Sequence, residues 1–133
     1  MNRSLLSIAQ LSQPEIHSLL SSSKKFQDED TRNQTLGGKT IGLLFYENST
    51  RTRISFENAI RRLGATPLSL SVATSSVQKG ETLQDSARNL AALGVHAFVI
   101  RHPDAEGIGD AVDVIEITDD LCCIMDGAVI QSV

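Results

Sequence analysis

The sequence has no tryptophan, one tyrosine and three prolines, and its only two cysteines are the neighbours Cys122 and Cys123. Adjacent cysteines are poorly placed for a structural disulfide and lack the spacing of metal ligands, so a reducing cytoplasm fits this chain and no metal is expected. No apolar run approaches the ~18 residues of a membrane-spanning helix, which argues against a membrane partner. The first eight residues contain no continuous apolar stretch, which argues against a signal peptide. Residues 104–133 contain no Lys or Arg but hold 8 of the 16 acidic residues. Residues 1–103 hold all 12 basic residues. Those are scattered, without a basic run or interleaved aromatics, so nucleic acid is not the expected partner.

What is present is an ordinary globular composition. Of the 133 residues, 41% are hydrophobic, enough for one domain with a moderate core. The chain is organised around Tyr46-Glu47-Asn48-Ser49-Thr50-Arg51-Thr52-Arg53. Thr40–Phe45 before it is an apolar run of buried-strand length. After it, Phe56, Ala59, Ile60 and Leu63 recur at the spacing of one helix face, and Gly64 stands at the position of a helix cap. Three hydroxyls and two guanidiniums therefore sit at a strand-to-helix turn. Backbone N–H groups in the first helical turn have no internal partner, and the helix dipole adds positive charge there. An Arg fork matches two oxygens of a phosphate or carboxylate. The turn reads as an oxyanion site, most simply one for phosphate. The competing reading is that Ser49 or Thr50 only caps the helix and the arginines are solvated.

Upstream, Leu11-Ser12-Gln13-Pro14-Glu15-Ile16 carries a helix-start signature. Ser12 and Glu15 suit a capping box and Leu11 a staple to Ile16. Ile16, Leu19 and Leu20 follow as an apolar face, with His17 off it on the surface. Gln27–Gln34 reads as a loop, and Gly37-Gly38 as the turn into the strand. Gly38-Lys39-Thr40 is not a P-loop, because Asn33 replaces the first glycine and the segment precedes a strand.

Downstream, Thr66–Val72 reads as a second strand, with Pro67 at an edge or near its start. Thr74–Thr82 is a polar loop with a single lysine, Lys79; on residue types alone it is a solvated surface loop. Thr82 suits a cap for a helix through Leu83, Ala87, Leu90 and Ala91, ended by Gly94. Ala97–Ile100 is a third strand, closed by Arg101-His102-Pro103. Alternating helices and strands predict a parallel sheet covered on both faces. Right-handed crossovers then place the strand C-termini on one rim, where ligands of such sheets bind. Ser49–Arg53 and Arg101 are delivered to that rim by separate segments.

Ser49-Thr50-Arg51-Thr52-Arg53, then Phe56-Glu57 and Arg62-Leu63-Gly64-Ala65, resembles the carbamoyl-phosphate signature of the aspartate and ornithine carbamoyltransferases. Gln78–Leu83 and Val99–Pro103 are more similar to the aspartate branch than to the ornithine branch, which remains the within-family alternative. The resemblance spans about residues 1–106. It implies a three-layer α/β/α, carbamoyl-phosphate-binding domain with a mainly parallel sheet, lacking the second, aspartate-binding domain. Residues 107–133 would be a divergent acidic tail that completes or replaces part of the sheet.

The resemblance implies that Ser49, Thr50, Arg51, Thr52 and Arg101 bind carbamoyl phosphate. Ser75 and Lys79 would lie on a loop entering a neighbouring subunit's site in a homotrimer, and Glu47 would help hold two domains closed. It implies transfer of the carbamoyl group to the amine of L-aspartate, releasing phosphate and N-carbamoyl-L-aspartate, a step of de novo pyrimidine biosynthesis. No cofactor, metal or covalent intermediate is implied. L-aspartate would bind only if a second domain is supplied, because after Pro103 the family's His-Pro-Thr-Gln motif and then its aspartate domain with its own arginines would follow, and no His, Lys or Arg follows here. The expectation is therefore a truncated, recombined or frameshifted chain. The alternatives are a stand-alone carbamoyl phosphate or phosphate-binding module without turnover, or a non-binding remnant.

Overall fold

The computed structural model describes Leu5 and residues 8–28, 34–46, 49–71, 82–102 and 122–125. After a short 3-10 turn at Ile8–Gln10 come α1 (Gln13–Asp28), β1 (Thr40–Phe45), α2 (Thr50–Arg62), β2 (Thr66–Ser71), α3 (Leu83–Ala92), β3 (Ala97–Arg101) and β4 (Cys122–Met125). The four strands form one sheet in the order β2-β1-β3-β4, every pair parallel. The expected strand–helix alternation is therefore realised, and Pro67 does fall near the start of an edge strand, where its missing N–H is tolerated. The end of the predicted second strand, Val72, lies outside the described residues, as does the stretch 103–121. No helix among the described residues is long and apolar enough to cross a membrane.

Side-chain alternation along β1 divides the core in two. Ile41, Leu43 and Phe45 pack with Val99 and with Ile60 of α2. Leu44, Phe98 and Ile100 pack with Leu83, Ala87 and Leu90 of α3. Successive strand residues point to opposite faces, so α2 covers one face of the sheet and α3 the other. That makes the three layers. Gly42 lies on the α3 side, where a Cβ would come within 2.9 Å of the Phe98 ring. The absent side chain is what lets that ring lie against the central strand.

Both covering helices end in the same way. Leu63 is the α2 cap residue; Gly64 N–H then bonds the Arg61 carbonyl and Ala65 N–H the Ile60 carbonyl, each at 3.1 Å. At α3, Gly94 N–H bonds Ala91 and Val95 N–H bonds Leu90. These are Schellman closures, and each brings a buried apolar pair together, Ile60 with Ala65 and Leu90 with Val95. Gly64 has φ of +84°, and a Cβ there would meet the Gln34 side chain at 2.6 Å. Gly64→Ala is expected to cost about 1–2 kcal/mol, the scale of forcing an L-residue into left-handed backbone. Urea denaturation would read that cost as a lower midpoint with an unchanged slope.

Helix starts follow the sequence signatures. Thr82 accepts from Asp85 N–H at 3.1 Å while the Asp85 carboxylate accepts from Thr82 N–H at 3.3 Å, a complete capping box. At α1 the Glu15 carboxylate accepts from both the backbone N–H and the hydroxyl of Ser12, each at 2.7 Å. The Thr82 hydroxyl and backbone hold the Asp85 carboxyl below its ordinary value of 3.8, and those of Ser12 do the same to Glu15. A carboxyl lowered by folding stabilises the fold above its ordinary value, and that contribution is lost as pH falls through the lower, folded value. Thr82→Ala is expected to cost about 1 kcal/mol at neutral pH. A denaturation series from pH 6 downward should show the gap to wild type narrowing once Asp85 is protonated.

Two local expectations need correction. The helix α1 runs on to Asp28, so Gln27 and Asp28 are helical rather than loop. The face built of Ile16, Leu19 and Leu20 is only partly covered: Ile16 is half-buried, whereas Leu19 and Leu20 are 52% and 60% exposed. Spacing identifies an apolar face but not what lies against it.

Candidate functional site

The chain leaves β1 toward β2 on one side of the sheet and returns over α3 to β3 on the other side of β1. The gap between the ends of β1 and β3 is therefore where the winding reverses. This is the crevice where open parallel α/β sheets bind their ligands.

Phe45 stands in register with Arg101, and Tyr46 N–H donates to the Arg101 carbonyl at 2.8 Å. That bond extends the ladder one residue past the end of β1. Ser49 follows Tyr46 by three residues, so its Cα lies within about 11 Å of the Tyr46 Cα whatever path the chain takes. By alternation Arg101 falls on the face of Phe45 and Val99, the same face that α2 covers. The N-terminus of α2 and Arg101 thus occupy one rim and one side of the sheet.

Ser49 is the N-cap residue of α2 but makes no side-chain cap hydrogen bond. The capping bond that the competing reading would give Ser49 is therefore not made by its side chain. The first turn of α2 holds no acidic residue and carries Arg51 and Arg53 instead. Basic side chains there oppose the helix dipole, at about 0.3–1 kcal/mol each for exposed groups. An anion seated on the turn would be attracted by both the guanidiniums and the helix dipole, and so offset that repulsion. Arg51 and Thr50 are exposed, and Ser49, Thr52, Arg53 and Arg101 are half-buried. The Ser55 hydroxyl donates to the Arg51 carbonyl at 2.9 Å, a contact that uses the Arg51 backbone and not its guanidinium.

On the same face, the Ser69 hydroxyl of β2 donates to the Glu57 carboxylate at 2.6 Å and fixes α2 to the sheet. At the opposite end of β1, Thr40 N–H donates to His96 Nδ1 at 3.1 Å and His96 N–H to the Thr40 carbonyl at 2.9 Å. Both ends of the β1–β3 pair are therefore tied by groups outside the strands. A cleft of about 250 Å³ lies far from the rim, between α1 and the C-terminal half of α2, lined by Ser23, Phe26, Ala59, Arg62 and Leu63.

Among the eight residues expected at the site, Ser49, Thr50, Arg51, Thr52 and Arg101 lie on the rim just described. Glu47, Ser75 and Lys79 lie outside the described residues. No group of His, Cys, Asp and Glu among the described residues is arranged to hold a metal ion. Tyr46 and His102 were not expected. Their rings meet at the rim with centroids 4.8 Å apart. Nothing local in the sequence signals that contact, because it exists only once β1 and β3 pair.

Residues 3–122 match the model of the aspartate/ornithine carbamoyltransferase carbamoyl-P binding domain. The chain is 48% identical over 103 residues to the aspartate carbamoyltransferase catalytic subunit of Koribacter versatilis, covering 77% of this chain and 34% of that protein. It is 47% identical over 106 residues to that of Corynebacterium efficiens, covering 76% and 34%. The chain thus spans about a third of the length of these curated relatives. Among solved structures, the aspartate transcarbamoylase of Trypanosoma cruzi in complex with carbamoyl phosphate superposes with a TM-score of 0.78 at 32% identity, over 95% of this chain and 41% of that one. The catalytic subunit of M. Jannaschii aspartate transcarbamoylase gives 0.81 at 31%, over 95% and 41%.

Proposed function

The chain belongs to the aspartate/ornithine carbamoyltransferase family, and from that premise we propose that its rim is the half-site that holds carbamoyl phosphate. The observation that carries this reading is the placement of the acid-free, arginine-bearing start of α2 on the same rim and face as Arg101, at the point where the sheet winding reverses. The phosphate would sit on the first-turn N–H groups of α2 and the hydroxyls of Ser49, Thr50 and Thr52, facing Arg51. Arg101 would reach it from β3. Dipole, hydroxyls and guanidiniums all offer donors or positive charge, which suits a dianionic phosphate.

In the complete reaction the amine of L-aspartate attacks the carbamoyl carbon and phosphate departs. The groups at this rim would gather the negative charge that grows on the leaving phosphate, so their contribution is orientation and electrostatic stabilisation. Aspartate as acceptor is supported by the relatives at 48% and 47% identity, both aspartate carbamoyltransferases. That transfer, with its place in pyrimidine synthesis, is proposed for an assembly that supplies the amino-acid-binding part. Ser75 and Lys79 would serve a neighbouring subunit of a trimer, and Glu47 domain closure. Residues 1–106 would form the binding domain, with β4 of the acidic segment completing the sheet beside β3.

The test is product formation on mixing the chain with carbamoyl phosphate, L-aspartate and a full-length family member whose own Arg51 equivalent is disabled. Restored formation of N-carbamoyl-L-aspartate supports a competent half-site. No restoration by a chain shown to bind carbamoyl phosphate restricts it to binding.

A further inference from the structure

We propose that Tyr46 and His102 act as a ring clamp that sets the spacing between the two halves of the anion site, making both positioning residues. This rests on the reading of the rim given above. Phe45 and Arg101 are register partners, so Tyr46 and His102 are the next pair outward, one residue past each strand end. Alternation puts them on the face opposite to Arg101. Tyr46 packs there against the Leu44–Phe98–Ile100 cluster. The two rings lie 4.8 Å apart at 58°, within the range of favourable tilted ring pairs.

The clamp stands one residue past the ends of β1 and β3, beside the bond from the Tyr46 N–H to the Arg101 carbonyl. β1 leads from this point to the α2 turn, and β3 carries Arg101. The ring contact thus adds a side-chain tie across the β1–β3 pair at the site itself. Small misplacements of oriented binding groups weaken their action steeply, so a loosened strand end would be felt in affinity.

The experiment compares wild type with His102→Ala, His102→Phe, Tyr46→Leu and the Tyr46→Leu/His102→Ala double variant. Two readouts are taken: exchange of the Tyr46 amide by NMR, and carbamoyl phosphate affinity by calorimetry. Arg51→Ala serves as the control that removes the anion contact but not the clamp. His102→Ala and Tyr46→Leu should each speed Tyr46 amide exchange and weaken binding by about three- to tenfold, the scale of one ring pair. The double variant should be no worse than either single one, since both remove the same contact. His102→Phe, which keeps a ring, should stay within about twofold of wild type. Unchanged exchange in a folded His102→Ala protein, additive losses in the double variant, or a His102→Phe loss equal to that of His102→Ala would each overturn the clamp. Failure of the anion reading looks different: no variant and no wild type would bind, while the exchange pattern would still report the ring contact.

Discussion

Arg51→Ala is expected to abolish measurable carbamoyl phosphate binding and to leave the fold intact. The Arg51 side chain is exposed in the first turn of α2, and the turn contains no carboxylate that it could serve. Removing one partner of a hydrogen-bonded charge pair costs roughly 2–5 kcal/mol, a thirtyfold loss of affinity or more. The same change should raise the stability of the ligand-free chain by a few tenths of a kcal/mol. It removes a cation from the positive end of a helix dipole and substitutes the best helix former. Opposite signs for binding and stability distinguish a binding residue from a structural one. Calorimetric titration gives the first sign and urea denaturation of the ligand-free protein the second. A variant that binds as wild type does would remove Arg51 from the site.

Phe98→Ala is the largest expected loss of stability. Phe98 is fully buried near the start of β3 and fills the space that Gly42 leaves open on β1. It also packs with Leu90 and Val95, the pair that closes α3. Truncating a buried phenylalanine costs about 3–5 kcal/mol, because transfer energy is lost and a cavity remains. Against a typical total of about 5–15 kcal/mol, that could leave little folded protein at physiological temperature. The expected observation is a large fall in the urea midpoint. Gly42→Ala in the Phe98→Ala background should recover part of it, since the new methyl enters the vacated space. A midpoint within error of wild type for Phe98→Ala would show that this ring does not anchor the α3 layer.

The two variants probe different levels of one design, and the sequence exposes those levels unequally. β1 is readable to the residue because Thr40–Phe45 is a continuous apolar run between a glycine turn and a polar turn. The ends of α2 and α3 are readable because Gly64 and Gly94 answer a local steric demand. Thr82 and Asp85 declare their capping box three residues apart. Each of these rests on interactions within a few residues. The rim was legible in outline, since parallel strands must end on one side. What alternation of helix and strand did not supply was the strand order, and with it the position of β1 beside β3. That order depends on which faces α2 and α3 cover, a property of the packed core. The ring contact of Tyr46 with His102 was invisible for the same reason, as its partners are more than fifty residues apart. The incomplete cover over Leu19 and Leu20 is a further case: their spacing is that of a core face, and only the tertiary arrangement shows how little of it is filled. Ser49 illustrates the reverse. Its residue type suggests a cap, yet its side chain makes no such bond.

The most direct measurement is calorimetric titration of the 133-residue chain with carbamoyl phosphate, with light scattering on the same sample to fix its mass. Saturable binding with one ligand per chain, lost in Arg51→Ala, is the predicted result. A folded chain that gives no heat of binding, and no protection against urea at saturating carbamoyl phosphate, would contradict the assignment of this rim as an assembled half-site.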